Sequence, residues 1–147
     1  MRTDSRPLVR RARLDDAGVI ATLISDLGYE TTPEAMSRRL DTLSRDANYV
    51  AYVAEMSGSV VGVAGGVVEH RFEKDGLNAR LLVISVTSTS RGHGVGRMLV
   101  HAVEEWARER GASEIVVHSG RHRVDAHRFY EREGYGGIGL RFVKLLT

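Results

Sequence analysis

The segment Arg91–Gly96 combines three glycines with basic side chains directly before the most regular helical pattern of the chain. Glycine tolerates positive φ and allows the backbone to approach a ligand closely. The first N–H groups of a helix have no partners within the helix, and the helix dipole adds partial positive charge there. The pattern therefore predicts a binding site for a phosphate or pyrophosphate. The alternative is a glycine-rich loop that only turns the chain.

These glycines do not match two common nucleotide-binding motifs. Gly92 and Gly94 fit the start of a G-x-G-x-x-G fingerprint, but Arg97 stands where the third glycine belongs. The next predicted strand ends in His118, whereas a dinucleotide site needs an acidic residue there. A Walker A loop needs Gly-Lys followed by Ser or Thr, which the sequence lacks. The sequence therefore predicts neither of these nucleotide sites.

A strand and a long helix flank the glycine-rich segment. Residues Ala79–Thr87 are rich in Leu, Val and Ile and predict a strand, and Val95–Arg110 has helical spacing. The apolar residues of this helix are Val95, Met98, Leu99, Ala102, Val103 and Trp106. Gly111 ends the helix, and Ser113–His118 follows as a strand. A strand, a helix and a second strand in succession predict a right-handed parallel crossover.

The other predicted elements place antiparallel hairpins before this crossover. We predict strands over Leu8–Arg13, Asn48–Met56, Val60–Glu69 and Ile138–Leu145, and helices from Asp15 or Asp16 to Gly28, from Pro33 after a Thr32 cap, and over Val124–Glu133. His70–Asn78 is a polar loop. We therefore expect an α/β fold with a mixed sheet and helices on both faces.

The composition is that of one ordinary globular domain, which we expect to span residues 1–147. The absence of cysteine excludes disulfides, thiolate metal ligands and a cysteine nucleophile. A net charge of +2 is too small to indicate a nucleic-acid partner. The histidines show no metal-ligand spacing, so no metal is predicted. No apolar run is long enough to span a membrane, and we expect a cytoplasmic protein without a membrane partner.

Two motifs together resemble the GNAT superfamily of N-acetyltransferases. Arg91–Gly96 matches that family's Arg/Gln-x-x-Gly-x-Gly/Ala loop for acetyl-CoA. Ala126–Tyr135 is similar to its second signature, Ala-x-x-Phe-Tyr-Glu-x-x-Gly-Tyr. The order of elements agrees over nearly the whole chain. The resemblance implies a GNAT-like, mostly antiparallel sheet, with a parallel pair of central strands that splay apart and helices on both faces.

The resemblance also implies acetyl-CoA as co-substrate and a set of residues that bind it. Backbone groups at the end of the fourth strand would hold the pantetheine arm and the acetyl carbonyl, and the loop with the helix start would bind the pyrophosphate. These positions are Ile84, Ser85, Val86, Arg91, Gly92, His93, Gly94, Val95, Gly96 and Arg97. Arg123 stands where many members carry a cofactor-contacting Asn, and an arginine there can reach a phosphate.

Tyr130, in the second signature, would be the general acid of the reaction. Its phenol would protonate the CoA thiolate as that group leaves. The alternative is an aromatic side chain that packs beside Phe129 on the helix. Tyr130 would also line the cofactor site, as in the family.

The general base is less determined by the sequence. His118 matches a position that carries a carboxylate base in some members of the family, and imidazole titrates in the right range. Glu69 and His70, at the end of the third strand, are rival candidates. Each histidine can instead be an exposed or hydrogen-bonded side chain.

These residues indicate an enzyme that transfers acetyl from acetyl-CoA to a primary amine of a small molecule, peptide or protein. The alternative is a catalytically silent module that binds acyl-CoA. The short tail after Gly134 leaves room for one strand where the family often has two. A second subunit that supplies the other strand would make a homodimer, and the alternative is a short hairpin through Gly136 and Gly137.

Overall fold

The computed structural model describes residues 6–118, 124–137 and 142–146. The chain divides into two compact units, Met1–Val116 and Val117–Thr147. The first unit holds most of the sheet and three helices, and the second holds one helix. A single domain over the whole chain stays a prediction from the sequence.

From β1 to α4, the order of strands and helices follows the sequence-based expectation. The strands are β1 (Leu8–Arg11), β2 (Tyr49–Met56), β3 (Ser59–His70), β4 (Leu77–Val86) and β5 (Ala112–Val117). The helices are α1 (Ala17–Asp26), α2 (Pro33–Ser44), α3 (Val95–Glu109) and α4 (Val124–Arg132). Two short 3₁₀ turns, Leu14–Asp16 and Ser88–Ser90, precede α1 and the glycine-rich segment.

The five strands form one mixed sheet in the order β1-β2-β3-β4-β5. The first four strands pair antiparallel with their neighbours. β5 lies beside β4 and is reached through α3. The α/β fold class predicted from the sequence is confirmed.

Helices cover both faces of the sheet in the first unit. On one face, α1 and α2 bury Ile20, Leu23 and Leu40 in a cluster with Val53 and Val63 of the strands. On the other face, α3 buries apolar side chains against β2, β3 and β4. The residues of this second cluster are Val50, Val68, Ala79, Trp106 and Ala107. Val50 and Val53 of β2 lie in different clusters, because side chains an odd number of residues apart on a strand point to opposite faces.

Asp16 does not cap α1 in the way that the sequence suggested. No side-chain cap is seen at the start of this helix, which the structure describes in full. The Asp16 carboxylate instead accepts the N–H of Arg13 at 2.7 Å and two hydrogen bonds from the Arg10 guanidinium at 2.9 Å. Arg10 also contacts Glu55 at 3.0 Å. The Arg10 guanidinium therefore links β1 to Glu55 of β2 and to Asp16 at the start of α1.

Two other expectations differ in outcome. The Thr32 cap of α2 is confirmed, because its hydroxyl accepts the N–H of Ala35 at 3.1 Å. Of the last strand predicted over Ile138–Leu145, residues 138–141 lie outside the described residues. Residues 142–146 have no regular secondary structure in the part that is described.

Candidate functional site

The end of β4 directs main-chain groups away from β3. The N–H of Thr87 donates to the C=O of Val61 at 2.8 Å. Hydrogen-bonded positions alternate along an antiparallel ladder, so Ser85 also bonds to β3. The N–H and C=O groups of Ile84 and Val86 therefore point to the side of β4 on which β5 lies. These main-chain groups are the ones that a ligand between the two strands would contact.

The side chain of Ser85 has a structural role. It is buried, and its hydroxyl donates to the C=O of Leu23 in α1 at 2.9 Å. This bond fixes α1 against the strand. Since the main-chain N–H and C=O of Ser85 belong to the ladder with β3, Ile84 and Val86 are the residues at this strand end whose main-chain groups face β5, and a role of Ser85 in cofactor binding stays a prediction from the sequence.

A β-bulge in β4 was missed at the level of sequence. Gly65 pairs with Val83 and Gly66 pairs with Leu81, so Leu82 is left without a partner in β3. Its side chain is 44% exposed. Bulges bend a strand, increase its twist and are common beside active sites. The adjacent glycines Gly65 and Gly66 were the sequence signal for this feature.

Glycines of β3 bring α3 close to the sheet. A Cβ atom at Gly62 would lie 2.9 Å from Leu99 Cδ1, and one at Gly66 would lie 2.6 Å from Val103 Cγ1. Real Cβ atoms essentially never approach so closely. The helix can therefore lie directly on β3, which fixes where its N-terminus emerges beside the end of β4.

The glycine-rich segment leaves main-chain N–H groups unused within α3. Gly92 and Gly94 have φ of +85° and +77°. The first hydrogen bond of the helix runs from the N–H of Met98 to the C=O of Gly94 at 3.1 Å. No side-chain cap is seen at Gly94, in a stretch that the structure describes throughout. The N–H groups of Val95 and Gly96 precede this first bond, at the helix terminus that carries partial positive charge, and can therefore meet an anion.

The side chains around this turn are of two kinds, one that is buried against the sheet and several that are exposed. Val95 is buried and fixes the first turn of the helix on the sheet. Arg91, His93 and Arg97 are exposed, and Gly96 is half-buried. The exposed side chains thus add two guanidinium groups to the positive field of the helix start. Guanidinium groups match the geometry of phosphate oxygens.

The helix α4 of the second unit holds Tyr130 within an aromatic group. Tyr130 is 9% exposed. Its ring packs edge-to-face on Phe129 at 5.5 Å and on Tyr135 at 5.9 Å between centroids. The N–H of Tyr135 donates to the C=O of Tyr130 at 2.9 Å, beyond the end of the helix. These contacts hold the phenol in one orientation.

The candidate bases differ in their surroundings. Oε1 of Glu69 lies 2.9 Å from Nε of Arg80 in an ion pair. Glu69 pairs with Asn78, which precedes Ile84 by six residues in β4, or roughly 20 Å at about 3.3 Å per residue. His70 is exposed at the end of β3. His118 is exposed and directly follows β5. The structure therefore keeps Glu69 well away from the amides of Ile84 and Val86.

Some expectations fall outside what can be described. Arg123 lies outside the described residues. Among residues 6–118, 124–137 and 142–146, no group of three or more His, Asp or Glu side chains could hold a metal ion. No helix in these ranges is both long and apolar enough to cross a membrane.

This arrangement can hold a long ligand with a phosphate at one end. The anion would meet the first turn of α3, and an extended arm would run along the main chain of β4 toward the bulge. Amides fixed in the strand could stabilise an oxygen that gains negative charge during acyl transfer. Arg80 is a charged side chain on the same strand that the sequence motifs did not reveal, since no pattern singles out this arginine.

Comparisons with known proteins agree with these features. The model of the acetyltransferase (GNAT) family matches residues 18–135. The chain is 29% identical over 152 residues to aminoalkylphosphonate N-acetyltransferase from Salmonella typhimurium, covering 99% of this chain and 96% of that protein. It is 30% identical over 96 residues to N-acetyltransferase 8 from Rattus norvegicus, covering 65% of this chain and 43% of that protein.

The fold also matches solved structures. An aminoglycoside N-acetyltransferase in complex with CoA superimposes with a TM-score of 0.88 at 16% identity, over 100% of this chain and 99% of that chain. At this identity the likeness shows the fold alone. The family model covers both sequence motifs and most of the described elements, so the resemblance noted from the sequence is confirmed. The chain therefore belongs to the acetyltransferase (GNAT) family and is an acyltransferase.

Proposed function

We propose that the protein transfers an acetyl group from acetyl-CoA directly to a primary amine of a small molecule, within a ternary complex. The observation that carries this proposal is the helix start at Gly94. The N–H groups of Val95 and Gly96 precede the first bond of α3, and the helix follows a strand whose Ile84 and Val86 amides point away from β3. This arrangement fits a diphosphate with an extended arm.

The residues that bind the cofactor follow from this arrangement. The pyrophosphate lies against the first-turn amides after Gly92 and Gly94. The pantetheine arm extends along Ile84–Val86 toward the bulge. Arg91, His93 and Arg97 border the phosphates, and we expect Arg123 to reach a phosphate as well. Arginine suits this role because its planar fork matches phosphate oxygens.

The acyl transfer requires an oxyanion donor and an acid. The amine nitrogen attacks the thioester carbon, the carbonyl oxygen gains charge, and the C–S bond then breaks. A main-chain N–H of Ile84 or Val86 is a fixed donor for that oxygen. We propose that Tyr130 gives its phenolic proton to the departing CoA sulfur. The contacts of its ring with Phe129 and Tyr135 support this role, because they fix the phenol in one orientation.

The attacking amine must also lose a proton. We propose His118 as the base, because histidine is the side chain that most often serves as a general base and this one is exposed directly after β5, the strand beside β4. Glu69 is the weaker candidate, since its carboxylate is paired with Arg80 and lies well before Ile84 along β4.

The name of the Salmonella relative supports a small-molecule acceptor. That protein acts on aminoalkylphosphonates according to its name, and it aligns over 99% of this chain. We extend to this chain only the general inference that its acceptor is a small primary amine. Cytoplasmic location and a homodimer stay predictions from the sequence.

Replacement of Tyr130 by Phe tests the mechanism. Tyr130→Phe removes the proton donor but keeps the ring, so kcat should fall about 100-fold with CoA affinity nearly unchanged. The measurement is thiol release from acetyl-CoA with a panel of amines, alongside calorimetric CoA binding. Tyr135→Phe is the matched control, because it removes a neighbouring phenol from the same aromatic group.

Two outcomes would contradict the proposal. An unchanged rate in Tyr130→Phe would remove this phenol from the mechanism. Tight CoA binding by the native protein without turnover of any amine would support the acyl-CoA-binding module instead.

A further inference from the structure

We propose that Ser85 is a positioning residue for the acyl transfer, because its side-chain hydroxyl fixes the part of β4 whose main-chain groups would hold the acetyl carbonyl. This inference rests on the proposed N-acetyltransferase function and deepens it at the same site. In this assignment the Ser85 side chain does not touch the reacting atoms. It acts through its two neighbours in the strand, Ile84 and Val86.

Ser85 is held from two directions. Its main-chain N–H and C=O belong to the ladder with β3, opposite Val63. Its hydroxyl donates to the C=O of Leu23 in α1 at 2.9 Å. The residue is 7% exposed, so water has little access to this bond. The same residue is therefore fixed by the sheet through its main chain and by a helix through its side chain.

The restraint at Ser85 passes to its neighbours through planar peptide units. The N–H of Ser85 shares one unit with the C=O of Ile84, and the C=O of Ser85 shares the next unit with the N–H of Val86. In a trans peptide the N–H and the C=O point in opposite directions. A unit that bonds to β3 at one end therefore directs its other end to the side on which β5 lies. Fixing Ser85 thus fixes the direction of the Ile84 C=O and the Val86 N–H.

The side chains of this strand end restrain it from both faces of the sheet. Val86 pairs with Gly62, where a Cβ would lie 2.9 Å from Leu99 Cδ1 of α3, so Val86 faces α3. Side chains alternate along a strand, so Ser85 faces α1, in agreement with its hydrogen bond. The strand end thus lies between α3 on one face and the tether to α1 on the other.

The acceptor of this bond is a carbonyl at the end of a helix. In a regular helix the C=O of Leu23 would accept the N–H of Leu27, but that N–H donates to the C=O of Ile24 at 3.1 Å. The last turn of α1 is tightened in this way, and the Ser85 hydroxyl satisfies the carbonyl of Leu23 instead. Loss of the hydroxyl would leave this buried carbonyl without its donor, and the end of α1 would no longer be tied to β4 at this point.

The tether matters for rate because main-chain donors must be fixed before the reaction. A main-chain N–H stabilises the charge that develops on the carbonyl oxygen only if it already points at that oxygen. A misplacement of about 1 Å can cost about 100-fold in rate. The helix start at Gly94 would hold the diphosphate independently of Ser85. The tether should therefore affect kcat more than cofactor binding.

The first test removes the hydroxyl and separates kcat from KM. Ser85→Ala should lower kcat about 10-fold, while KM for acetyl-CoA changes less than about 2-fold. The acceptor is the amine that the native protein turns over fastest among ethanolamine, putrescine and 2-aminoethylphosphonate. The melting temperature should fall by roughly 3–6 °C, and the rates are measured well below it. A native kcat in Ser85→Ala would overturn the inference.

Two further variants separate the hydrogen bond from the volume of the side chain. Ser85→Cys fills nearly the same space but is a weak donor, so its kcat should resemble that of Ser85→Ala. Ser85→Thr keeps the hydroxyl on a side chain that suits a strand, so its kcat should lie within about 3-fold of the native value. A native kcat in Ser85→Cys would mean that packing alone is needed and would overturn the assignment, whether or not Ser85→Ala folds.

Asp16→Asn is the matched control, because it loosens the other end of the same helix. Asp16 accepts hydrogen bonds from Arg10 of β1, and β1 lies at the opposite end of the strand order from β5. The melting temperature of this variant should fall at least as much as that of Ser85→Ala, with kcat within about 2-fold of native. Equal losses of kcat in both variants would mean that general loosening of α1 slows the reaction, which would overturn the role of Ser85.

The acetyl carbonyl gives a readout that does not depend on turnover. Infrared spectroscopy of bound acetyl-CoA labelled with ¹³C at the thioester carbonyl reports the hydrogen bonds to that oxygen, because they lower its stretching frequency. The frequency should be lower in the native complex than in free acetyl-CoA, and Ser85→Ala should lose about half of this shift. Asp16→Asn should keep the whole shift. A full native shift in Ser85→Ala would contradict the positioning role.

These measurements distinguish failure of the inference from failure of the proposed function. Native kcat and native carbonyl frequency in Ser85→Ala, with turnover by the native protein, would overturn the inference and leave the proposed function standing. A carbonyl shift that Ser85→Ala reduces, in a protein that turns over no amine, would support the positioning of the carbonyl by this strand and contradict the proposed function.

Discussion

Two glycine-rich regions of the first unit use the same residue type for opposite reasons. In β3, a Cβ at Gly62 or Gly66 would collide with Leu99 or Val103 of α3. In the loop before α3, Gly92 and Gly94 have positive φ, and a Cβ at either would meet nothing within 4 Å. Gly62 and Gly66 are glycines because α3 occupies the space that a side chain would need. Gly92 and Gly94 are glycines because the backbone there has positive φ.

The difference separates packing from ligand access. Glycines that let a helix touch a strand stabilise the protein by close contact, and their replacement should affect folding. Glycines that lie in open space leave room for a ligand, and their replacement should affect binding more than stability. The two regions are joined by α3, which lies on the first and begins at the second.

The largest expected effect is on the packed region. Gly66→Val places a branched side chain where a single Cβ already lies 2.6 Å from Val103 Cγ1. Overpacking of this kind should lower the free energy of unfolding by about 3 kcal/mol. The melting temperature should fall by roughly 6–12 °C, measured by calorimetry.

Gly65→Ala provides a graded comparison within β3. A Cβ there would lie 3.3 Å from Val83 Cγ1, a tight contact that small shifts can relieve. Its melting temperature should lie between those of the native protein and Gly66→Val. If Gly66→Val had the melting temperature of the native protein, the close approach of α3 to β3 would not be needed for stability.

The next effect is on the open region. Gly94→Glu puts a carboxylate beside the phosphate-binding amides and should weaken CoA binding by more than about 100-fold, or roughly 2.8 kcal/mol. Stability should fall by only about 1–2 kcal/mol, the usual penalty for a side chain in the left-handed region. Titration calorimetry with CoA measures the first quantity, and thermal unfolding measures the second.

Gly94→Ala separates the two contributions. It has the same backbone penalty without the charge, so its loss of stability should be similar and its loss of affinity much smaller. Normal CoA binding by Gly94→Glu would contradict the assignment of this loop.

A smaller effect is expected at Asp16, away from both glycine regions. The Arg10 guanidinium hydrogen-bonded to Asp16 lowers the pKa of this carboxyl below its ordinary value of 3.8. The native state thus binds fewer protons than the unfolded state, so the stabilisation is present above about pH 4. It is lost as the pH falls below 4, through the lowered pKa.

Asp16→Asn should therefore act on stability alone. We expect a loss of about 2 kcal/mol at pH 7, because a buried charged hydrogen bond to Arg10 is removed. The difference from the native protein should shrink as the pH falls below 4, measured by urea unfolding at each pH. The comparison of the two glycine regions implies that stability and CoA binding depend on different residues. A loss of CoA affinity in Asp16→Asn at unchanged folding would contradict this.

Much of the fold could be predicted from the sequence because its signals are local. The apolar spacing from Val95 to Trp106 determines α3, and the Thr32-Pro33 pair determines the start of α2. The loop before α3 was predicted by glycines next to a strong helical pattern. Each of these rests on neighbours along the chain, which a sequence displays directly.

The features that were missed depend on residues far apart in the chain. The Ser85 hydroxyl is bonded to Leu23, and Glu69 meets Arg80 only because β3 and β4 pair in one register. The Asp16 carboxylate was expected to cap a helix, but a stronger partner, Arg10, lies on the preceding strand. Spacing along the chain does not show which of several polar groups a side chain meets in three dimensions.

Leu82 is one residue more in β4 than the pairing with β3 requires. If it were deleted, Leu81 and Val83 would face their present partners in an uninterrupted ladder, and the strand would lose the extra twist that a bulge supplies. In a straighter strand, the main-chain groups of Ile84 and Val86 would face β5 at a different angle. In the proposed acyl transfer, one extra residue in β4 thus sets the direction of the main-chain groups that would hold the acetyl carbonyl.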